Sequence, residues 1–401
     1  MIPSFGHSLE TLRWWNSQVA QALVRGAQTP FYLFSPEPVR IALAQLEGLD
    51  FGCPTRHWLS CKTQPFAPLL AWWRKSGRPI EVVSEFEFHA ALRAGFSLDE
   101  ILVNGPAKQR WLPRVSGRHL RVHFDSTREL TTLLPLARRQ HWRIGLRIRT
   151  RAEHDPGNPS HPTQFGFEPA EAISALRQLR RAGLTPESLH FHLRTNVAQA
   201  SHYGRAFREL AEFCAAARWV PIYVDCGGGL PPPHTRGLQG QDFAERMDLD
   251  EFARTCRRGL ARLGGIRELW LENGRFLLAG SGVLVIQVLD AKLRSGIRQL
   301  ICDGGRTLNA LVSTWEDHEL RPLERRGGRS VPTAVYGPTC MAFDRLAFRP
   351  MAAGIHPGDH LVWFDAGAYH LAWETRFSHG HGEIWWAETN RLRRIRSAET
   401  A

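Results

Sequence analysis

Lysine is the residue type that most narrows the chemistry open to this chain. Of the 51 basic residues, the only lysines are Lys62, Lys75, Lys108 and Lys292. Lys62 follows an apolar segment in the sequence SCKTQP. An amine there could face solvent or, once desolvated, form a Schiff base with a carbonyl group. Alone, the motif favours the surface interpretation, so the assignment depends on the other motifs.

Two further segments could hold charged parts of a ligand. Gly227, Gly228 and Gly229 follow the apolar stretch PIYV, and backbone N–H groups in such a loop can approach a phosphate. Glu272 and Arg275 lie in ENGR, where the carboxylate could hold a protonated pyridine nitrogen and the arginine a phosphate. Each pattern also has an ordinary explanation: a glycine turn in the first case and a surface ion pair in the second.

Histidine and cysteine add two weaker signals. His190 and His192 stand two residues apart at the end of an apolar segment, so they would share one face of a strand. No third metal ligand stands at convincing spacing, so we predict no metal site and favour a histidine packed on an aromatic ring. Cys340 follows a predicted tight turn in YGPTC, although a lone cysteine is more often buried and inert than reactive.

The segments that carry these residues alternate with helical ones. From TPFYLF to about residue 270, roughly eight pairs of strand and helix predict a parallel sheet closed into a barrel, with its chemistry at the carboxyl ends of the strands. Residues from Leu9 to Val24 predict one amphipathic helix. Beyond residue 270, β-rich segments joined by Gly, Pro and Asp predict a second, mostly antiparallel domain. The expected divisions are 1–34, a helix and a strand that joins the β-domain; 35–270, a (β/α)8 barrel; and 271–401, the C-terminal β-domain.

Composition excludes several classes of protein. A content of 43% hydrophobic and 22% charged residues, without low-complexity tracts, is typical of a soluble globular protein. The longest apolar runs, such as Val283 to Leu289, are too short to cross a bilayer. The net charge of +12 comes from arginines that form no long block, so we expect no nucleic-acid partner. Seven scattered cysteines and an N-terminus without signal-peptide features predict a cytoplasmic protein.

The order of the motifs, more than any one of them, resembles the fold-type III decarboxylases that depend on pyridoxal 5′-phosphate (PLP). This family includes the ornithine, arginine and diaminopimelate decarboxylases. The resemblance runs from TPFYLF to about Ala387. Its landmarks are SCKTQP, EVVSEFEFHAALRAGF, NGPAK, LRIRT, HFHLRTN, VDCGGG, ENGR, YGPTC and FDAGAY. It implies an alanine-racemase-like (β/α)8 TIM barrel with a C-terminal β-domain, PLP as cofactor, and a homodimer with shared active sites.

The resemblance also implies roles for individual residues. Lys62 forms the internal aldimine, His192 stacks on the pyridine ring, and Arg147 lies beside the cofactor's phenolic oxygen. Glu272 pairs with the ring nitrogen and keeps it protonated, so that the ring accepts the electrons left when CO₂ departs. Cys340 reaches into the active site of the partner subunit and returns a proton to Cα. The residues implied around the phosphate are Thr195, Gly227, Gly228, Gly229, Gly274, Arg275 and Tyr369.

Departures from the family pattern concern the substrate. Met341 stands where ornithine-type and diaminopimelate-type enzymes have an acid, and methionine cannot pair with a distal ammonium group. Arg194 replaces the usual glycine and could bind a substrate carboxylate or make a structural or phosphate contact. Gln164 stands where lysine is common. We expect Arg194, Met341 and Asp344 to contact the substrate. The PTQFG and HFHxxTN elements resemble a subgroup that decarboxylates larger amino acids during siderophore or antibiotic assembly.

The expected function is decarboxylation of an amino acid or amino acid conjugate through the Lys62 aldimine and a quinonoid intermediate. One alternative is a diaminopimelate-, ornithine- or lysine-type decarboxylase of primary metabolism. Another is a racemase or epimerase, but these use two opposed bases and lack YGPTC. A PLP-homeostasis protein would end with the barrel. A non-catalytic protein would have no need of Lys62, Glu272, Arg275 and Cys340 together.

Overall fold

The computed structural model describes residues 7–115, 117–155, 158–237, 247–309, 316–389 and 391–399. Its helices are α1 (Leu9–Val24), α2 (Glu37–Glu47), α3 (Ala67–Lys75), α4 (Glu85–Arg93), α5 (Thr127–Arg139), α6 (Pro169–Arg181), α7 (Ser201–Ala217), α8 (Leu249–Leu263), α9 (Gly274–Leu278) and α10 (Arg306–Asn309). Its strands are β1 (Phe31–Phe34), β2 (Thr55–His57), β3 (Leu59–Ser60), β4 (Ile80–Val82), β5 (Ile101–Val103), β6 (Arg121–Phe124), β7 (Arg143–Arg147), β8 (His154–Asp155), β9 (Asn158–Pro162), β10 (Ser188–His190), β11 (Tyr223–Asp225), β12 (Arg236–Gly237), β13 (Glu268–Leu271), β14 (Gly282–Arg294), β15 (Ile297–Cys302), β16 (Glu316–Asp317), β17 (Leu320–Pro322), β18 (Ser330–Tyr336), β19 (Arg345–Ala352), β20 (His360–Trp363), β21 (Glu383–Glu388) and β22 (Arg391–Arg396).

The chain divides into two compact units. The first, here called the β unit, comprises Met1–Ala42, Pro232–Phe243 and Leu277–Ala401. The second, the barrel unit, comprises Leu43–Pro231 and Ala244–Phe276. These limits lie a few residues beyond the boundaries expected at residues 34 and 270. The short segment that interrupts the barrel unit has no counterpart in a division of the sequence into consecutive ranges.

The barrel unit contains a parallel sheet with the order β2-β13-β11-β10-β7-β6-β5-β4-β3. Its two end strands are separated in the chain by Trp58 alone. The Trp58 amide donates to the Leu271 carbonyl at 2.9 Å on one side, and the Leu59 amide donates to the Pro79 carbonyl at 3.2 Å on the other. Because β2 and β3 are one interrupted strand, the sheet closes as an eight-stranded barrel, which confirms the predicted fold class.

Helices start and pack as their sequences dictate. Ser84 and Ser126 accept hydrogen bonds from the third residue of α4 and α5, which satisfies amides that the helix itself leaves unpaired. The apolar side chains of α7 recur at helical spacing and are buried. The buried side chains of this helix are Tyr203, Ala206, Phe207, Leu210, Phe213, Cys214 and Ala217. Because these helices are capped and bury one apolar face, the ends of the barrel strands remain available for polar side chains.

The β unit is a mostly antiparallel sheet with the order β19-β18-β15-β14-β1-β21-β22, to which β20 and β17 are added through β14. The N-terminal strand β1 pairs antiparallel with β14 and parallel with β21. Helix α1, whose predicted bounds are confirmed, buries Trp15 and Val19 against this sheet. In the described part of the chain, no helix combines the length and the apolar character that crossing a membrane requires.

Candidate active site

The predicted site residues of the barrel unit follow the carboxyl ends of neighbouring parallel strands. Lys62 follows β3, Arg147 ends β7, and His192 follows β10. Gly227 follows β11, and Glu272 follows β13. Because all these strands run in one direction, their carboxyl ends lie at one edge of the barrel. The topology therefore gathers residues that are far apart in the sequence.

Lys62 lies in a single 3-10 turn, Cys61–Thr63, directly after β3. Its Nζ donates to Oγ of Ser60 at 2.6 Å and to Oε2 of Glu81 at 3.1 Å. Ser60 Oγ donates to the same carboxylate at 2.6 Å. The Glu81 side chain is 1% exposed, whereas 42% of the Lys62 side chain is exposed. The amine is thus oriented by buried acceptors and remains accessible to a ligand.

The other three lysines have different surroundings. Lys108 is fully buried, with its Nζ 2.7 Å from Oε1 of Glu129, also fully buried. Lys75 is exposed at the end of α3, and Lys292 belongs to an ion pair on β14. Among the four, only Lys62 combines a strand end of the barrel with an accessible amine.

His192 presents a half-buried imidazole at the same edge. Its Nδ1 accepts a hydrogen bond from the Gly228 amide at 3.2 Å. Burial, reinforced by the positive charges of Arg147 and Lys62, lowers the pKa of His192 to about 3. The ring is therefore neutral at physiological pH, and it can pack on a protonated aromatic ring without charge repulsion.

Close backbone contacts shape the glycine loop after β11. A Cβ atom on Gly228 would lie 2.6 Å from the carbonyl oxygen of Glu272, and one on Gly229 would lie 2.6 Å from that of Arg194. Gly227 and Gly229 also have positive φ angles, 61° and 115°. Glycine alone suits these positions. The loop consequently offers bare backbone of the kind that approaches a phosphate closely.

Three buried side chains meet beneath this loop: His190, Asp225 and Glu272. Their ligand atoms all lie within 4.8 Å of one another. Oε1 of Glu272 accepts from Nδ2 of Asn104 at 2.5 Å, and Oδ1 of Asp225 accepts from the Gly227 amide at 2.8 Å. Glu272 is thus held by a donor that follows β5, and Asp225 by the amide of its own loop.

Both acids hold a proton more tightly than exposed carboxylates do. Burial raises the pKa of Glu272 well above its usual value, and the charge of Asp225 raises it further. Burial likewise raises the pKa of Asp225, which hydrogen-bonds to Glu272. A cationic group beside Glu272, such as a protonated pyridine nitrogen, would remove the need for this proton.

Sequence reasoning assigned no role to Asp225 and placed His190 in a conceivable histidine pair. The available signal was the position of Asp225, an acid at a strand end directly before three glycines. His190 instead stacks on His123, with ring centroids 5.0 Å apart. The trio of His190, Asp225 and Glu272 could also ligate a divalent cation, so the expected absence of a metal stays a prediction.

Arg147 is fixed by residues that the sequence did not single out. Its Nη2 donates to Oε1 of Glu153 at 2.8 Å, and its guanidinium group lies 4.5 Å from the centre of the Phe165 ring. Thr163 Oγ1 donates to the same glutamate oxygen at 3.1 Å. The PTQFG segment, in which we noted Gln164, thus supports the arginine through its threonine and phenylalanine.

The remaining residues of the barrel unit that are predicted to bind the phosphate differ in position and burial. Arg275 is buried in the first turn of α9. A Cβ atom on Gly274 would lie 2.2 Å from Oγ1 of Thr63, so Gly274 allows α9 to begin against the turn that carries Lys62. Thr195 is exposed on the loop after β10. Their contacts with a phosphate stay predictions.

The other predicted residues belong to the β unit. Cys340 is an exposed free thiol, and Met341 is half-buried. Tyr369 is half-buried and has a positive φ of 63°.

Asp344, expected to contact the substrate, is 1% exposed and is occupied by its own surroundings. Its Oδ1 accepts from the Arg306 amide at 2.6 Å, and its Oδ2 accepts from the amide and Oγ1 of Thr339 at 3.1 and 2.6 Å. Asp344 thus supports the YGPTC loop through Oδ2 and the start of α10 through Oδ1, and its contact with the substrate stays a prediction.

The donor set of the barrel unit fits PLP. An accessible amine, a neutral imidazole and a glycine loop suit an aldehyde, an aromatic ring and a phosphate, respectively. The buried acid pair suits a pyridine nitrogen, because a cation would stabilise the ionised form of these two carboxyl groups.

Comparison with known families agrees with this chemistry. The family described as "Pyridoxal-dependent decarboxylase, pyridoxal binding domain" matches residues 54–279, more than half of the chain. The matched range contains every barrel residue discussed above. The family is therefore established independently of the site geometry.

Curated relatives cover most of the chain. It is 27% identical over 343 residues to the diaminopimelate decarboxylase of Deinococcus radiodurans, which covers 85% of each protein. It is also 25% identical over 393 residues to the L-glutamyl-[BtrI acyl-carrier protein] decarboxylase of Niallia circulans, which covers 90% of this chain and 88% of that one.

Among solved structures, diaminopimelate decarboxylase from Helicobacter pylori complexed with L-lysine has the same fold. Its TM-score is 0.81 at 22% identity, and the match covers 95% of this chain and 97% of that one. Fold, family and cofactor chemistry thus agree. The chain belongs to the pyridoxal-dependent decarboxylases and is a PLP-dependent carboxy-lyase that acts on an amino acid.

Proposed function

We propose that this decarboxylase acts on an amino acid conjugate that carries an additional acidic or acyl group, in the biosynthesis of a siderophore or another specialised metabolite. The observation that carries this proposal is Arg194, an arginine two residues beyond His192. It is half-buried at the same edge of the barrel, and its Nη2 lies 3.5 Å from Nδ1 of His202. A guanidinium group suits an anionic part of a substrate.

Met341 supports the same conclusion from the β unit. A distal ammonium group of a diamine substrate needs a carboxylate partner, because burial of an unpaired charge is costly. Methionine offers no such partner. Free ornithine and lysine are therefore poor candidates for this chain.

One curated relative acts on a glutamyl group attached to an acyl-carrier protein, and the match spans nearly the whole of both chains. This supports a conjugated substrate. The diaminopimelate decarboxylases among the relatives favour a second candidate, free diaminopimelate. Diaminopimelate carries a second carboxylate, so Arg194 suits it in part, but it also carries the distal ammonium group that Met341 leaves without a partner.

When bound, PLP supplies an aldehyde for the substrate amine and a ring that accepts the electrons released with CO₂. Lys62 is the amine that holds it covalently. Ser60 and Glu81 accept hydrogen bonds from that amine, and Glu81 offers a buried acceptor for the proton that the amine must lose. The first task of this chain is thus to orient a single nitrogen and to take up its proton.

Glu272 has the second task, at the pyridine nitrogen. Its carboxyl group is fixed by Asn104 and adjoins Asp225, so that two negative charges can face one protonated nitrogen. His192 would contribute a neutral face to the ring, and Arg147 would hold the phenolic oxygen. Together these side chains hold the ring rigidly and favour its protonated form.

Cys340 has the third task, the delivery of a proton to Cα of the substrate after CO₂ leaves. The proposal follows the resemblance in assigning this thiol to the active site of a partner subunit in a homodimer. Its exposure suits a residue that acts outside its own unit. The seven cysteines are all free thiols, which suits a cytoplasmic enzyme.

We predict that Lys62→Ala lowers turnover by roughly 10³-fold or more, because the covalent nucleophile is lost. The absorption of covalently bound PLP should disappear as well. Lys75→Ala, which removes an exposed lysine from the end of α3, is the matched control and should leave both properties unchanged. A PLP adduct on Lys62→Ala that borohydride can reduce would exclude Lys62 as the attachment site.

The acid pair predicts how the stability of the PLP-free protein depends on pH. Because the pKa values of Glu272 and Asp225 are raised on folding, the stability that they contribute is present below the ordinary carboxyl range and is lost as pH rises through the raised values. Asp225→Asn should therefore reduce the fall in unfolding free energy between pH 5 and pH 8 by on the order of 1 kcal/mol. The control, Asp250→Asn on the exposed first turn of α8, should not. Urea unfolding at both pH values measures the effect, and equal pH dependence in the two variants would contradict proton sharing.

The homodimer predicts complementation between inactive subunits. Mixed Lys62→Ala and Cys340→Ala subunits should regain up to about a quarter of wild-type turnover, since half of the random dimers are mixed and each of these has one intact site. Cys53→Ala, a half-buried control thiol, should stay active by itself. If native mass spectrometry shows mixed dimers and turnover is absent, Cys340 does not act across subunits.

The substrate proposal predicts a preference that CO₂ release can measure. Glutamyl or other acid-bearing conjugates should be turned over faster than free diaminopimelate, ornithine or lysine. Met341→Asp should raise kcat/KM for the free diamino acids roughly tenfold, because it supplies a partner for the distal ammonium. Met341→Leu controls for the change of side chain. Efficient turnover of a free diamino acid by the wild type would refute the proposal of a conjugated substrate, but the assignment as a decarboxylase would stand.

A further inference from the structure

A cleft of about 580 Å³ in the barrel unit is lined by arginines, and among its lining residues only Arg194 has been given a role above. Four guanidinium groups surround it, those of Arg151, Arg194, Arg205 and Arg208, together with the imidazole of His202. Its volume lies within the range of small-molecule sites, about 300–1,000 Å³. The cleft therefore has both the size and the charge for a compact anionic group.

The arginines of the cleft lack the carboxylate partners that several other arginines of the same unit have. Arg114, Arg143 and Arg149 each contact a carboxylate, at 2.5 to 2.8 Å. By contrast, the side chains of Arg205 and Arg208 form no ion pair within 4.0 Å with any carboxylate of the described residues.

The same holds for the side chains of Arg151 and Arg194 within the described ranges. The Arg194 side chain contacts Nδ1 of His202 at 3.5 Å. Glu209, one of the two acids of the cleft, accepts a hydrogen bond from the backbone amide of Arg151 at 2.8 Å. With four arginines against Glu209 and Glu212, the cleft keeps a net positive charge that a ligand can neutralise.

The position of the cleft links it to the PLP site. Arg151 lies four residues beyond Arg147 at the end of β7, and Arg194 lies two residues beyond His192 after β10. These strands are neighbours in the barrel, with His190 paired with Arg147. The cleft is therefore built from the loops at the carboxyl edge, where the substrate must enter, and from the start of α7.

We propose that this cleft binds a phosphate ester on the distal arm of the substrate, namely the 4′-phosphopantetheine arm by which a carrier protein holds an acyl group. The inference rests on the proposed function, because it gives the conjugate a chemical identity. Arginine forks pair with phosphate oxygens bidentately, and several forks around one cleft suit a single phosphate better than lysines would.

Two acidic residues argue against an extended polyanion. Glu209 and Glu212 line the same cleft, and their charges would repel the successive phosphates of a nucleic acid. A lone phosphate on an otherwise neutral arm can contact the arginines without approaching both acids. The cleft thus favours one phosphate at the end of an uncharged chain.

Calorimetric titration of the PLP-loaded enzyme with 4′-phosphopantetheine and with pantetheine tests the proposal without turnover. We expect 4′-phosphopantetheine to bind and pantetheine, which lacks only the phosphate, to bind at least roughly tenfold more weakly. Arg205→Gln and Arg208→Gln should each weaken binding of the phosphorylated arm by a similar factor. Arg177→Gln, an exposed arginine of α6 outside the cleft, is the control and should bind like the wild type.

Two further measurements, with inorganic phosphate and with an acylated carrier protein, distinguish free phosphate from a carrier-held phosphate ester as the ligand. If inorganic phosphate binds as tightly as 4′-phosphopantetheine, the arm contributes nothing and the proposal fails. If a glutamyl group on a holo-carrier protein has a lower KM than the same group on free pantetheine, and Arg208→Gln removes the difference, a carrier-held arm is the ligand. Arg208→Lys keeps the charge and should retain part of the affinity, which distinguishes lost binding from misfolding.

Failure of the cleft and failure of the proposed function give different results. Equal affinity for 4′-phosphopantetheine and pantetheine, or unchanged binding in the arginine variants, overturns the proposed phosphate site even if conjugates are decarboxylated. Selective binding of 4′-phosphopantetheine that the arginine variants lose supports the cleft even if the amino acid on the arm proves to be another.

Discussion

The arrangement of this enzyme depends on a buried pair of carboxyl groups, Glu272 and Asp225, at the ends of adjacent strands. Two acids in a low-dielectric interior cannot both ionise without a cation nearby, so the barrel unit is incomplete by itself in electrostatic terms. The fixed amide of Asn104 and the amide of Gly227 hold both groups where a cationic ring nitrogen would complete them. Binding of the cofactor and compensation of buried charge are therefore the same event.

The surrounding residues extend this electrostatic design. His192 is kept neutral by burial and by nearby positive charges, so it does not compete with the ring nitrogen for the acids. Arg147 has its own buried partner in Glu153. Lys62 is oriented by Glu81, a third buried acid. Lys62 and Arg147 each have an assigned carboxylate, in contrast to the arginines of the neighbouring cleft.

Much of this arrangement could be predicted from the sequence because it depends on local patterns. The helix over Leu9–Val24 and the alternation of strands and helices are periodic signals, and the order of motifs identified the family. Lys62 was conspicuous because lysine is scarce. Asp225, Glu153 and Glu81 could not be found in this way, since their importance lies in burial against residues from other strands. Asp344 was expected at the substrate from its position in a motif, and only its three hydrogen-bond donors reveal that it also has a supporting role.

The closure of the barrel has a consequence for the cofactor. Trp58 stands at the seam, with hydrogen-bonded strands on either side, and the chain continues from there through β3 to Lys62. The segment that closes the barrel, by linking β2 to β3, is thus also the segment that carries the reactive amine. Any local opening of the barrel at this closure displaces Nζ of Lys62 relative to the acids beneath the glycine loop. A cofactor attached to Lys62 and held by those acids would link the closing segment to strands across the barrel. Loss of the cofactor would therefore destabilise the closure, and opening of the closure would weaken cofactor binding.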